Sequence, residues 1–204
     1  MSDLSMRKPP PVPEALRARV ASGEGVHPFL DQWPRLADDV FLAPGAQVIG
    51  DVEIGAGSSL WYNVVVRGDV CHIRIGSGTN IQDGSVVHVT RKTHATIIGD
   101  HVLIGHMAMI HGCEIHDHAF VGLSTIVMDG CVIEEDGMLA AGSLLPPGKV
   151  IRKGELWLGR PARFLRRLSA EEIAAHREAP RGYAELAQLH ARSLEIGFKD
   201  AARG

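Results

Sequence analysis

The sequence predicts an all-β chain: a parallel β-helix of about six triangular coils, with a C-terminal α-helix packed alongside. Three observations predict it. Aliphatic residues recur every six positions, glycine and other small residues recur at set offsets from them, and the few breaks in the period fall close together. The repeat starts at Leu42 and continues through Val48, Ile54, Leu60 and Val66. It resumes at Ile75, Ile81 and Val87, then at Ile98, Ile104 and Ile110. The last run is unbroken: Ile115, Val121, Val127, Ile133, Leu139, Leu145, Ile151. A step of six does not suit a helix of 3.6 residues per turn. It suits a short strand and a sharp corner, with Gly55, Gly76, Gly99, Gly105 and Gly122 expected where backbone dihedrals are unusual. Small residues such as Ser58, Thr79, Ala108, Ala119, Thr125 and Ser143 recur four places after an aliphatic. Three steps make one coil. The eighteen positions therefore give about six coils, stacked at roughly 4.8 Å into a prism on the order of 25–30 Å long.

The breaks carry as much information as the period. Three extra residues separate Val66 from Ile75, in the stretch Arg67-Gly68-Asp69-Val70-Cys71-His72. Five extra separate Val87 from Ile98, around Thr90-Arg91-Lys92-Thr93-His94, and one residue is missing between Ile110 and Ile115. Insertions in a solenoid become loops on one face, often the binding face.

Outside the repeat, residues 1–25 read as an N-terminal tail, with prolines at Pro9, Pro10, Pro11 and Pro13 and a pattern over Glu14–Ala21 compatible with a short helix. Residues 26–165 form the repeat domain and 166–204 a helical extension. Ser169-Ala170-Glu171-Glu172 is a capping box, a helix start signal. Apolar spacing through Ile173, Tyr183, Leu186, Leu189 and Leu194 predicts two helical pieces, broken at Pro180–Gly182 and packed along the prism.

Composition narrows the function classes. With 204 residues, 45% hydrophobic, 22% charged and net charge −3, the chain reads as one soluble domain. No apolar run approaches the ~20 residues that span a bilayer, and Met1–Pro13 has no signal-peptide pattern, so the expected compartment is cytoplasmic, with no membrane partner. Arg163, Arg166 and Arg167 read as a solvated face rather than a nucleic-acid footprint. Cys71, Cys113 and Cys131 are odd in number without CxxC spacing, and read as small buried core residues.

Three of the eleven histidines stand out. His88 follows Val87 and His111 follows Ile110, so both take the slot just after an inward aliphatic, one coil apart on one face. Imidazoles one strand spacing apart can share a metal whose Zn–N bonds are about 2.0–2.1 Å. His106, two places after Ile104, falls on the adjacent face or corner and is poorly placed to reach the same ion within one chain. A neighbouring subunit would deliver it, and threefold packing of triangular prisms gives three equal sites. Three neutral imidazoles leave one tetrahedral position open, the catalytic rather than the structural arrangement. The other histidines, His116, His118 and His101 in the repeat and His27, His176 and His190 outside it, read as solvated or hydrogen-bonded. Arg67, Asp69, Asn80, Gln82 and Asp83 are the polar residues near the trio. Two readings stand for Arg67, Asp69 and Asp83: salt bridging within the fold, or a part in the chemistry.

At these residues the sequence resembles the γ-class carbonic anhydrase family. The stretches are Asn63 to Asp69 (NVVVRGD), Thr79 to His88 (TNIQDGSVVH) and Ile104 to Cys113 (IGHMAMIHGC), and the resemblance covers roughly residues 28 to 168. It implies a left-handed coil and a homotrimer in which His88, His106 and His111 bind Zn2+, with His106 from the adjacent subunit. Fe2+ or Co2+ would also suit imidazole ligands. It implies reversible hydration of carbon dioxide to bicarbonate by zinc-bound hydroxide. Gln82 would hydrogen-bond the metal-bound water, Asn80 would help position substrate, and Arg67, Asp69 and Asp83 would form an interface network. This chain has Val70 where the family's best-characterised members carry a glutamate, and Val89-Thr90-Arg91-Lys92-Thr93-His94 where they carry an acidic loop. His94 is the residue left to move the proton. Trp157 falls where related sequences often place Tyr or Asn near the site. Three alternatives share the fold: a hexapeptide acyltransferase, a zinc-dependent thioester hydrolase with Phe120, Met107 and Trp157 lining an apolar slot, and a trimeric scaffold tied by the metal.

Overall fold

A computed structural model describes residues 25–201. The expected tail, with its helix over Glu14–Ala21, lies outside the described residues. Short parallel strands wind into a three-faced prism of about seven turns. On the first face Val26, Val48, Val66, Val87, Ile110, Val127 and Leu145 stack in register. The second face stacks Leu42, Leu60, Ile81, Ile104, Val121, Leu139 and Trp157. The third stacks Leu36, Ile54, Ile75, Ile98, Ile115, Ile133 and Ile151. The extra turn over the expected six comes from Val26, Leu36 and Trp157: Leu36 and Trp157 extend the six-residue spacing by one step at each end, and Val26 continues its column off that spacing. Most of these side chains are wholly buried. Removing each from water contributes about 1.5–3 kcal/mol.

The small residues have two separate jobs. Gly105 and Gly122 are not in the left-handed region, contrary to expectation; they are glycine because the next coil passes too close. A Cβ would come within 2.6 Å of the Leu123 nitrogen at Gly105 and within 2.4 Å of the Ala141 nitrogen at Gly122. Left-handed backbone occurs two residues later, at Met107 and Ser124 for these two coils. At the corners, buried hydroxyls join successive coils: Thr79 Oγ1 donates to the Gly99 carbonyl (2.7 Å) and accepts from the Val102 amide (3.1 Å). Ser85 Oγ does the same with Gly105 and Ala108.

The two insertions behave differently. Residues 89–95 form a loop, pinched by a bridge between Thr90 and His94. The extra residues after Val66 make no open loop: Val65–Ile75 is one continuous strand, paired along Gln47–Ile54 with a shift in register between Gly50 and Val52. Pairing on both sides holds the excess as a bulge containing Asp69. Of the cysteines, Cys113 and Cys131 are in the core, while Cys71 is only half-buried.

Glu155–Gly159 pairs antiparallel with Ala162–Arg167 and ends the solenoid. The C-terminal helix, Ala170–Ala201, then runs back along the second face. Its capping box forms as predicted: Ser169 N donates to Glu172 Oε2 (2.8 Å), and Glu172 N donates to Ser169 Oγ (3.2 Å). The predicted break at Pro180–Gly182 does not occur; Pro180 is buried inside one helix. The contacts on either side explain this. His176 packs on Phe120 and Arg177 pairs with Asp136, while Tyr183 packs on Trp61 and His190 hydrogen-bonds Tyr62. All of these hold the helix to one prism, and together they offset the lost backbone bond.

Candidate metal centre

On the first face His111 pairs directly with His88, and their rings lie 5.1 Å apart. His88 Nδ1 faces His111 Nε2 at 3.1 Å. The outer nitrogens are each taken by a carboxylate: His88 Nε2 lies 3.0 Å from Asp69 Oδ1, and His111 Nδ1 2.6 Å from Asp129 Oδ1. An ionised carboxylate only accepts. The outer nitrogens are therefore the N–H donors, and the inner pair present lone pairs to one another. Two facing lone pairs repel, and either a proton or a metal ion between them relieves that repulsion. Two ligands of one zinc at about 2.0–2.1 Å and the tetrahedral angle would stand about 3.3 Å apart, so the observed spacing fits a shared ion. A carboxylate behind each histidine is the usual device for fixing tautomer and ring orientation in such sites.

Both carboxylates are themselves held. Partial burial pushes the Asp69 carboxyl up, but hydrogen bonds from His88 and Arg67, together with the Arg67 charge, outweigh it and hold it below the usual range. Burial likewise opposes ionisation at Asp129, and hydrogen bonds from Thr90 (2.6 Å) and His111 outweigh it and hold the carboxyl below the usual range.

The third histidine stands elsewhere. His106 sits half-exposed on the corner between the second and first faces, with Nδ1 2.8 Å from Asp83 Oδ2. Among the described residues no group of three histidine, cysteine or carboxylate side chains of one chain is placed to hold a metal ion. The predicted residues thus divide into two groups. Arg67, Asp69, His88 and His111 meet on the first face, and Gln82, Asp83 and His106 share the neighbouring corner. Gln82 is 4% exposed and its amide makes no hydrogen bond to a described residue. Asn80 joins neither group. It lies on the second face, 1% exposed, on a strand against which the C-terminal helix packs. Its Nδ2 donates to Ser59 Oγ (2.8 Å), and its Oδ1 is buried without a partner.

His94 packs against Gly112, next to His111 in sequence. It also lines a cleft of about 330 Å³ with His72, Cys113 and Cys131. A second cavity of about 330 Å³ has His111 and Asp129 in its wall and is otherwise lined by Met109, Ile126, Val127, Met128 and Pro147. The residues expected to line an apolar slot are not these. Phe120 lies against His176 of the helix, and Trp157 fills the inward slot of the last turn, its Nε1 donating to Glu155. Sequence reasoning missed Asp129 and Thr90. The available signal was the coil length, since Asp129 stands one coil beyond His111.

The geometry defines a class: a hexapeptide-repeat β-helix carrying an imidazole pair oriented by carboxylates. Residues 34–68 match the bacterial transferase hexapeptide (six repeats) family. The chain is 51% identical to the mitochondrial gamma carbonic anhydrase 1 of Arabidopsis thaliana over 166 residues, 79% of this chain and 60% of that protein. It is 44% identical to a probable carbonic anhydrase of Methanocaldococcus jannaschii over 153 residues, 75% of this chain and 96% of that one. Among solved structures, a hexapeptide transferase family protein from Anaplasma phagocytophilum superposes with a TM-score of 0.78 at 46% identity, covering 81% of this chain and 98% of that one. The chain spans about three fifths of the length of the plant relatives it matches. It belongs to the γ-class carbonic anhydrase family of hexapeptide-repeat proteins.

Proposed function

We propose that the chain forms a homotrimer that catalyses reversible hydration of carbon dioxide at its subunit interfaces. His88 and His111 of one subunit and His106 of the next would hold one zinc ion, with Fe2+ or Co2+ as alternatives. The observation that carries this reading is the approach of His88 Nδ1 to His111 Nε2 at 3.1 Å, with a third imidazole, His106, paired with Asp83 outside that pair. Carbon dioxide hydration is the chemistry named for the curated relatives. When bound, the ion supplies hydroxide from water near neutral pH.

The chain's own residues do the rest. Asp69 and Asp129 keep the inner nitrogens of His88 and His111 unprotonated, and Asp83 beside His106 Nδ1 leaves that residue's Nε2 for the ion. The amide of Gln82, on the same corner as Asp83, donates to an oxygen of carbon dioxide or bicarbonate. Arg67, half-exposed and paired with Asp69, adds positive charge where bicarbonate forms. His94, beside Gly112 and Gly130, passes the released proton towards solvent.

Metal content and stopped-flow carbon dioxide hydration, measured on one sample of wild type and His106→Ala, test the reading. About one ion per chain, with activity abolished in the variant, is the expected result. Hydration unaffected by the variant would overturn the interfacial site. A second reading, hydrolysis of an acyl thioester, is favoured by the apolar cavity beside His111, where a short acyl chain would fit. Metal without hydration, but with thioester cleavage, would establish it instead. The family kinship to a hexapeptide transferase structure keeps acyl chemistry worth this assay.

A further inference from the structure

We infer that Asp129, clamped by Thr90, is a positioning residue for His111, and that the insertion following His88 supplies that clamp. The inference rests on the reading of His111 as a metal ligand. Asp129 uses both carboxylate oxygens: Oδ1 towards His111 Nδ1 at 2.6 Å, and Oδ2 accepting from Thr90 Oγ1 at 2.6 Å. With both oxygens engaged, the carboxylate has one orientation, and so has the imidazole it holds.

Thr90 belongs to the five extra residues between Val87 and Ile98, a segment the solenoid does not need in order to wind. The loop is braced for the purpose. Thr90 N donates to the His94 carbonyl at 3.0 Å, and Thr93 N donates to the Thr90 carbonyl at 3.3 Å. Lys92 takes the left-handed conformation that closes so short a turn. Lys92 N donates to the Val70 carbonyl at 3.3 Å, which joins the loop to the bulge carrying Asp69. One insertion therefore braces the segments that carry both orienting carboxylates. At its exit Thr96 Oγ1 donates to the His88 carbonyl (2.6 Å) and accepts from the Gly112 amide (3.0 Å), tying the two ligand strands together beneath the imidazoles.

The test uses Thr90→Val, Asp129→Ala, Asp129→Asn and the Thr90→Val/Asp129→Ala double variant. Zinc affinity is measured by chelator competition, and the His111 tautomer by nitrogen-15 spectra of metal-free protein. Loss of an orienting partner typically weakens metal binding 10–100-fold. Asp129→Ala is expected to fall by about that factor, Asp129→Asn by less because its oxygen still accepts, and Thr90→Val by about tenfold. The double variant is expected to match Asp129→Ala, since Thr90 acts only through Asp129. In metal-free Asp129→Ala the Nδ1–H tautomer of His111 gives way to Nε2–H. Circular dichroism verifies folding, and Thr90→Val, nearly isosteric and on a loop, keeps the test open if Asp129→Ala misfolds. Affinities within twofold of wild type, or fully additive losses in the double variant, overturn the inference. If wild type holds no zinc, the metal reading falls, and the tautomer alone decides the clamp: an unchanged spectrum in Asp129→Ala overturns it.

Discussion

Thr96 and Thr125 are both wholly buried threonines in the solenoid, yet they make opposite predictions. Thr96 bridges the His88 carbonyl and the Gly112 amide, whereas Thr125 Oγ1 has no partner. Thr96→Val removes both hydroxyl bonds while Gly112 N still donates to the His88 carbonyl at 3.2 Å, and is expected to cost about 0.5–1.5 kcal/mol in denaturant unfolding. Thr125→Val removes an unsatisfied hydroxyl and is expected to be neutral or stabilising. Equal losses at the two positions would refute the assignment. The same contrast bounds what sequence shows at this scale. His88 and His111 were legible because the repeat fixes the direction of each side chain. Asp129 was not, because its contact runs across coils through a nearly featureless Met128-Asp129-Gly130 turn. Asn80 reads as a site residue by resemblance, yet its strand faces the C-terminal helix, a long-range packing that no local pattern encodes.

At the scale of the element, the period predicted the strands because coils built of six-residue steps allow only one register. The C-terminal helix was harder. Its start was legible in the capping box, but its continuity through Pro180 depends on contacts with residues about 40 to 130 positions away in sequence. The cap gives the helix a pH signature. Arg166 first, then the Ser169 amide, draws the exposed Glu172 carboxyl down to about 2 from the ordinary 4.5. A lowered folded value means stabilisation that is complete above about 4.5 and lost as pH falls towards about 2. The thermal midpoint of wild type should therefore converge on that of Glu172→Gln over this window. Because the pair is exposed, added salt should narrow the gap at neutral pH. A difference between the two proteins that does not change with pH would refute the cap's electrostatic part.

For the whole molecule, the proposed function makes assembly a condition of the chemistry, because its candidate ligands are divided between two surfaces. Those surfaces are apolar where the histidines stand. Met107 and Leu123 are 66% and 51% exposed beside His106, Leu123 lying one coil on from Gly105. Met109 and Met128 flank His111 at 40% and 38% exposed. Exposed methionine and leucine clustered on a rigid prism are the composition of a buried contact. If apolar contact rather than the metal holds the subunits together, two substitutions one coil apart must separate. His106→Ala should leave the trimer intact in light scattering and remove the ion. Leu123→Asp, which would bury a carboxylate, should give monomers that also lose the ion, because His106 no longer meets its partners. Neither change touches the inward aliphatic columns, so both proteins should keep the β-helix in circular dichroism. Monomers from His106→Ala as well would mean that the ion ties the subunits together, and the apolar patches would then be a consequence of assembly rather than its cause.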